Sequence, residues 1–191
     1  MKLSFLLPRE CVVPGIRGGE RSKRDLLNEL TDVLFRETSL KDEGFSREEI
    51  VETLLARENE LSTGVGDGFA FPHARLKDLK GAYLLFATCP SGVSYASPDN
   101  NPVHFFFLTV VSEDHANLLL QSRAALMRCL LPLAARQQAL ACSTRDELWK
   151  MIDRSGSMIS RDIVARDIMC PQIGVLREDM TIAEAATAMH K

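Results

Sequence analysis

The chain has 191 residues, 46% of them hydrophobic and 26% charged with both signs mixed, and a net charge of −3. That is enough for one globular domain of ~150 residues plus a smaller piece. The charge balance gives no long-range attraction for nucleic acid or an anionic membrane. Only five residues separate Lys2 from Pro8, too few for the ~7–15-residue apolar core of a secretory signal, and no run approaches the ~20 residues of a membrane span.

From the N-terminus, Cys11, Val12 and Val13 predict an edge strand stopped by Pro14-Gly15, and residues 16–21 a loop. From Ser22, Leu26, Leu27, Leu30, Val33 and Leu34 recur on one face of a helix, which Gly44 breaks. Ser46 and Glu49 form a capping box that opens a second helix with Ile50, Val51 and Leu54 inward, ending near Arg57. Tyr83–Thr88 is a compact apolar run that predicts a strand, and three prolines in residues 90–102 predict turns. Val103–Val111 is apolar without alternation, so it is expected to lie at the centre of the sheet with both faces covered.

Ser112 caps the next helix, with Glu113 and Asp114 in its first turn and Leu119, Ser122, Leu126 and Leu130 as its stripe. Pro132 ends or kinks that helix, and Thr144 with Glu147 opens another that packs through Leu148, Trp149 and Ile152. The five cysteines, Cys11, Cys89, Cys129, Cys142 and Cys170, include no C-x-x-C pair. They predict small buried hydrophobes in a reduced, cytoplasmic chain.

The chemistry concentrates in residues 62–75, STGVGDGFAFPHAR. Gly64, Gly66 and Gly68 permit a tight turn, Phe69–Phe71 predicts a short buried strand, and Pro72 biases Phe71 toward extended geometry. His73 then sits at a strand end beside a glycine-rich turn. A neutral ring nitrogen there can act as a nucleophile while a hydrogen bond holds the other. Backbone N–H groups of Thr63, Gly64 and Gly66 are expected to form an anion nest, in place of the nucleotide loop G-x-x-x-x-G-K-[ST], which is absent. His115, at a helix start, offers a second imidazole where anions are favoured.

This stretch resembles the active-site segment of the fructose/mannitol-type enzyme IIA domain of the bacterial sugar phosphotransferase system, above all its nitrogen-regulatory branch. The resemblance runs from about Leu3 to Ile152, through Glu58-Asn59-Glu60, Asp99-Asn100-Asn101-Pro102-Val103 and Glu113-Asp114-His115. It implies a three-layer α/β/α sandwich with a central mixed sheet. It also implies a phosphoryl group accepted on His73 from an HPr-type phosphocarrier, with His115 and Arg57 at the phosphoryl group. The downstream partner is a IIB protein or a regulatory target, and no metal or other cofactor is needed. Phe69 and Phe71 stand where that family usually has small aliphatic residues.

The expected organisation is a domain over 1–152, a linker over 153–162 and a second unit over 163–191. The last resembles the first half of a CBS module, with Ile168-Met169, Pro171 and a helix capped by Thr181 and Glu184. An alternative reading is a non-catalytic regulatory module whose CBS-like segment senses adenine nucleotides. A metal site of His73, His115 and Asp67 is a weaker rival, because no H-x-x-x-H or C-x-x-C spacing supports it. Serine hydrolysis through Ser62 lacks the G-x-S-x-G elbow.

Overall fold

A computed structural model describes residues 1–159 and Thr181. The chain divides into two units, Met1–Arg161 and Asp162–Lys191, and all described residues but Thr181 lie in the first. Apart from Thr181, the CBS-like segment, with Cys170, falls outside the described residues.

The first unit is built on a six-stranded mixed sheet in the order β1-β5-β6-β3-β2, with β4 also paired to β6. Its strands are β1 (Val12–Val13), β2 (Gly64–Gly66), β3 (Phe69–Ala70), β4 (His73–Leu76), β5 (Ala82–Val93) and β6 (Val103–Ser112). As its unbroken apolar run requires, β6 is central: β5 runs antiparallel on one side, and β3 and β4 run parallel on the other. β3 and β4 are two pieces of one interrupted strand. The break falls at Pro72, which has no N–H to give the ladder, although its carbonyl still accepts from Thr109 N–H at 3.0 Å.

Helices α1 (Lys23–Glu37), α2 (Arg47–Glu60), α3 (Ala116–Leu130), α4 (Leu133–Ala141) and α5 (Arg145–Arg154) flank the sheet and complete a three-layer α/β/α arrangement. Both anticipated capping boxes form, Ser46 with Glu49 and Thr144 with Glu147. Leu26, Leu27, Leu30 and Leu34 are all buried, so the α1 stripe meets the core.

Several boundaries differ from the sequence expectation. The second helix runs on to Glu60. β5 continues past Thr88 through Pro90 to Val93 by way of a register shift, which an irregular strand tolerates. Ser112 caps a 3₁₀ turn, Glu113–His115, that precedes α3. Pro132 starts a separate helix rather than a kink, and the chain turns by 93° between α3 and α4. No single helix among the described residues is long and apolar enough to cross a membrane. The first half of the expected 153–162 linker is tied to the domain: Asp153 and Arg154 close α5, Met158 bridges Lys2, and Ile159 N–H donates to Met1 O at 2.7 Å. Cys11, Cys89 and Cys129 are buried as expected, whereas Cys142 is only half-buried at the end of α4.

Candidate active site

The site begins with strand register. Phe69, Phe71 and His73 alternate along the interrupted strand, and β6 sets Phe105 beside Phe69 and Thr109 beside His73. Matched residues of parallel strands carry their side chains to the same face. That face becomes an aromatic floor. Phe69 stacks on Phe105 with ring centroids 4.8 Å apart, and Phe71 meets Phe107 edge-on at 6.5 Å. Arg123 of α3 lies over the Phe71 ring at 5.5 Å, and Arg136 of α4 over Phe69 at 5.0 Å. The two phenylalanines that depart from the enzyme IIA pattern thus become platforms for guanidinium groups.

His73 is 8% exposed. Its Nδ1 lies 3.1 Å from the Phe71 carbonyl. A carbonyl only accepts, so Nδ1 carries the hydrogen and Nε2 keeps its lone pair. The same carbonyl accepts from Arg123 Nη2 at 3.1 Å. One backbone oxygen therefore fixes both the imidazole and a guanidinium.

Burial, reinforced by the charge of Arg123 and then of Arg57 and Arg75, lowers the His73 pKa to about 4 against the opposing pull of the Phe71 carbonyl. The ring is neutral at physiological pH. Burial, with Arg57 and Arg75, also brings Arg123 down to about 10. Among the described residues no acidic side chain pairs with Arg57, Arg75 or Arg123. Arg57 spends one nitrogen on the Leu61 carbonyl at 3.0 Å. Two buried polar atoms near the ring, Arg123 Nε and Thr109 Oγ1, have no hydrogen-bond partner among the described residues. The arrangement is a neutral nucleophile within a positive field, suited to a group carrying negative charge.

Of the residues expected at this site, Arg57 acts on His73 through its charge. His115 ends the 3₁₀ turn beyond β6 and is exposed; the charges that act on His73 come from the three arginines. Of the three N–H groups expected to form an anion nest, those of Thr63 and Gly64 have acceptors within the chain. Thr63 N–H and hydroxyl both donate to the buried carboxylate of Glu58, and Gly64 N–H donates to Ser62 Oγ at 3.3 Å. Gly66, at φ +88°, lies against Asp99, with the Asp99 Oδ2 atom 3.3 Å from where a Cβ would stand. Thr63 and Gly64 thus spend their N–H groups within the chain, and the Asp99 carboxylate stands beside Gly66.

Glu58 is the knot of that loop. It also takes Lys23 Nζ at 2.7 Å, Ser62 Oγ at 2.8 Å and Tyr95 Oη at 3.1 Å. Asp67, a member of the metal rival, pairs with Arg136 at 2.6 Å, and no metal-binding group of His, Cys, Asp and Glu occurs among the described residues.

Arg123 was not singled out by sequence reasoning. A signal was available: it is four residues after Leu119 and three before Leu126, a cation within a stripe otherwise apolar or small.

Residues 10–155 match the family described as phosphoenolpyruvate-dependent sugar phosphotransferase system, EIIA 2. The chain is 29% identical over 154 residues to the PTS system fructose-specific EIIABC component of Bacillus subtilis, covering 81% of this chain but only 23% of that protein. It is 27% identical over 158 residues to a nitrogen regulatory protein of Klebsiella oxytoca, covering 82% of this chain and 93% of the other. The crystal structure of nitrogen regulatory protein IIA-Ntr from Neisseria meningitidis superposes with a TM-score of 0.64 at 28% identity, covering 78% of this chain and 98% of that one.

Proposed function

Because the chain belongs to the EIIA 2 family of the phosphoenolpyruvate-dependent sugar phosphotransferase system and is a phosphocarrier domain of that system, we propose that His73 Nε2 is its phosphoryl acceptor, charged by an HPr-type carrier. The observation that carries this reading is the shared Phe71 carbonyl, which takes the Nδ1 hydrogen and leaves the lone pair on Nε2, while burial and the neighbouring arginines keep the ring neutral. In the transfer the donor's P–N bond breaks, its electron pair stays on the donor nitrogen, and a P–Nε2 bond forms. The ring keeps its Nδ1 hydrogen and carries the positive charge that develops, which the Phe71 carbonyl stabilises by accepting that hydrogen. The arginines face the negative oxygens, where positioning and charge stabilisation do most of what phosphoryl transfer needs. Arg57 belongs to this set by its charge, and His115 is a site member at the rim that the donor approaches.

The output we propose is regulatory. Similarity to nitrogen regulatory proteins over nearly their whole length supports it. Handing the phosphoryl group to a IIB partner is the second outcome, favoured by the fructose relative, whose name joins A, B and C components in one chain. Both outcomes place the protein in the cytoplasm, which the free cysteines Cys11, Cys89, Cys129 and Cys142 support.

The test is label transfer from phosphoenolpyruvate through enzyme I and HPr to the full chain and to His73→Ala. Acid-labile, alkali-stable label on the wild type alone is expected. Equal labelling of the folded variant, or none on either protein, overturns the assignment.

A further inference from the structure

Arg123 is held to one residue at two points. It donates to the Phe71 carbonyl at 3.1 Å and lies 5.5 Å over the Phe71 ring. Its third donor, Nε, is buried and has no acceptor among the described residues. The partners expected of a largely buried guanidinium are missing as well: Arg57 and Arg75 stand near it, and no carboxylate among the described residues offsets the three charges. Arg75 is exposed and Arg57 and Arg123 are half-buried, so the cost of holding these cations together without an anion falls mainly on Arg123, whose Nε is shut away from solvent. An arrangement that keeps them so is complete only when a negative group arrives.

We propose that Arg123 is a positioning residue of the phosphoryl site, fixing the His73 ring through the Phe71 carbonyl and meeting the charge of the phosphoryl group once it is on Nε2. The proposal rests on His73 being the acceptor. Before transfer, Arg123 holds the carbonyl that selects the Nδ1–H tautomer and opposes ring protonation. After transfer, a phosphoryl oxygen is the acceptor that Nε lacks, and the dianion offsets the cluster formed by Arg57 of α2, Arg75 of β4 and Arg123 of α3. The atoms and electrons are those of the transfer already described, and Arg123 gives up no proton.

The experiment uses the full chain as wild type, Arg123→Gln and Arg123→Lys. Folding is followed by fluorescence of Trp149, whose Nε1 donates to Leu7 O within the same unit. The first readout is the titration of the His73 ring by NMR, assigned by comparison with His73→Asn. Removing a nearby positive charge makes the imidazolium easier to form, so Arg123→Gln is expected to raise the midpoint toward the ordinary histidine value. Arg123→Lys keeps the charge and the low midpoint. The second readout is phosphoryl uptake from phospho-HPr. Arg123→Gln is expected to lose about 100-fold in rate, the scale of one lost charge-stabilising donor, and Arg123→Lys, a cation without the planar fork, to fall in between.

An unchanged titration and an unchanged uptake rate in folded Arg123→Gln overturn the proposal. So does Arg123→Lys moving the midpoint as far as Arg123→Gln, because the effect is then not one of charge. If the wild type accepts no label at all, the acceptor reading fails, while the titration still decides separately whether Arg123 governs the ring.

Discussion

Replacing Glu58 by glutamine perturbs the structure that holds the His73 loop to α2. The carboxylate is 3% exposed and takes donors from Lys23, Ser62, Thr63 and Tyr95. Burial alone would raise its pKa, but the hydrogen bonds from Lys23, Thr63 and Ser62 outweigh burial and hold it below the ordinary value. Glutamine offers one oxygen and an NH₂. The hydroxyls of Thr63 and Tyr95 can turn to accept from that NH₂, whereas Lys23 and the Thr63 backbone N–H can only donate.

Charged hydrogen bonds contribute roughly 1.5–3 kcal/mol each against about 1 for neutral ones, and the Lys23 share is reduced because its side chain is 29% exposed. A loss of about 3 kcal/mol follows, or roughly 6–12 °C in Tm for a domain of this size. Urea unfolding followed by Trp149 fluorescence measures it. The pH dependence has a definite sign: a depressed carboxylate stabilises above its unfolded pKa of 4.5 and loses that contribution as pH falls through its lower folded value. The gap between wild type and Glu58→Gln is therefore expected to be full at pH 7 and to close in acid. A gap under ~0.5 kcal/mol at pH 7, the range of an ordinary surface change, or one that persists unchanged in acid, refutes the reasoning.

Two further changes are expected. In Gly18→Ala the new methyl would stand 2.3 Å from both Gly92 O and Ser91 Oγ; a loss of about 1–3 kcal/mol from forced displacement follows, read as a lower urea midpoint, and an unchanged midpoint contradicts it. His73, with its folded pKa lowered from 6.5 to about 4, stabilises the protein above pH 6.5 and loses that contribution as pH falls toward 4. His73→Asn is therefore expected to flatten stability across that window, and equal acid sensitivity of the two proteins contradicts the burial of a neutral ring.

Much of the architecture was legible because it depends on neighbours in sequence. Capping boxes, the α1 stripe, the apolar β6 run and the Pro72-His73 junction are short-range patterns, and each formed. α4 was missed because LAARQQALA has little apolar periodicity, and Pro132 reads equally well as a stop or as the start of a new helix. The continuation of β5 through Pro90 was hidden because proline and glycine ordinarily mark turns.

The sequence by itself determined that a histidine would follow a proline at a strand end, and that an apolar strand would stand beside it. Only the tertiary structure decided what surrounds that ring. The Thr63 N–H expected to bind an anion is taken by a carboxylate five residues back, whereas Arg123 reaches the Phe71 carbonyl from 52 residues away. Local spacing specifies which groups are free to bond, but the partner each finds depends on how the helices pack across the sheet. In a buried site that competition is decisive, because a donor satisfied by one acceptor is no longer available to a ligand.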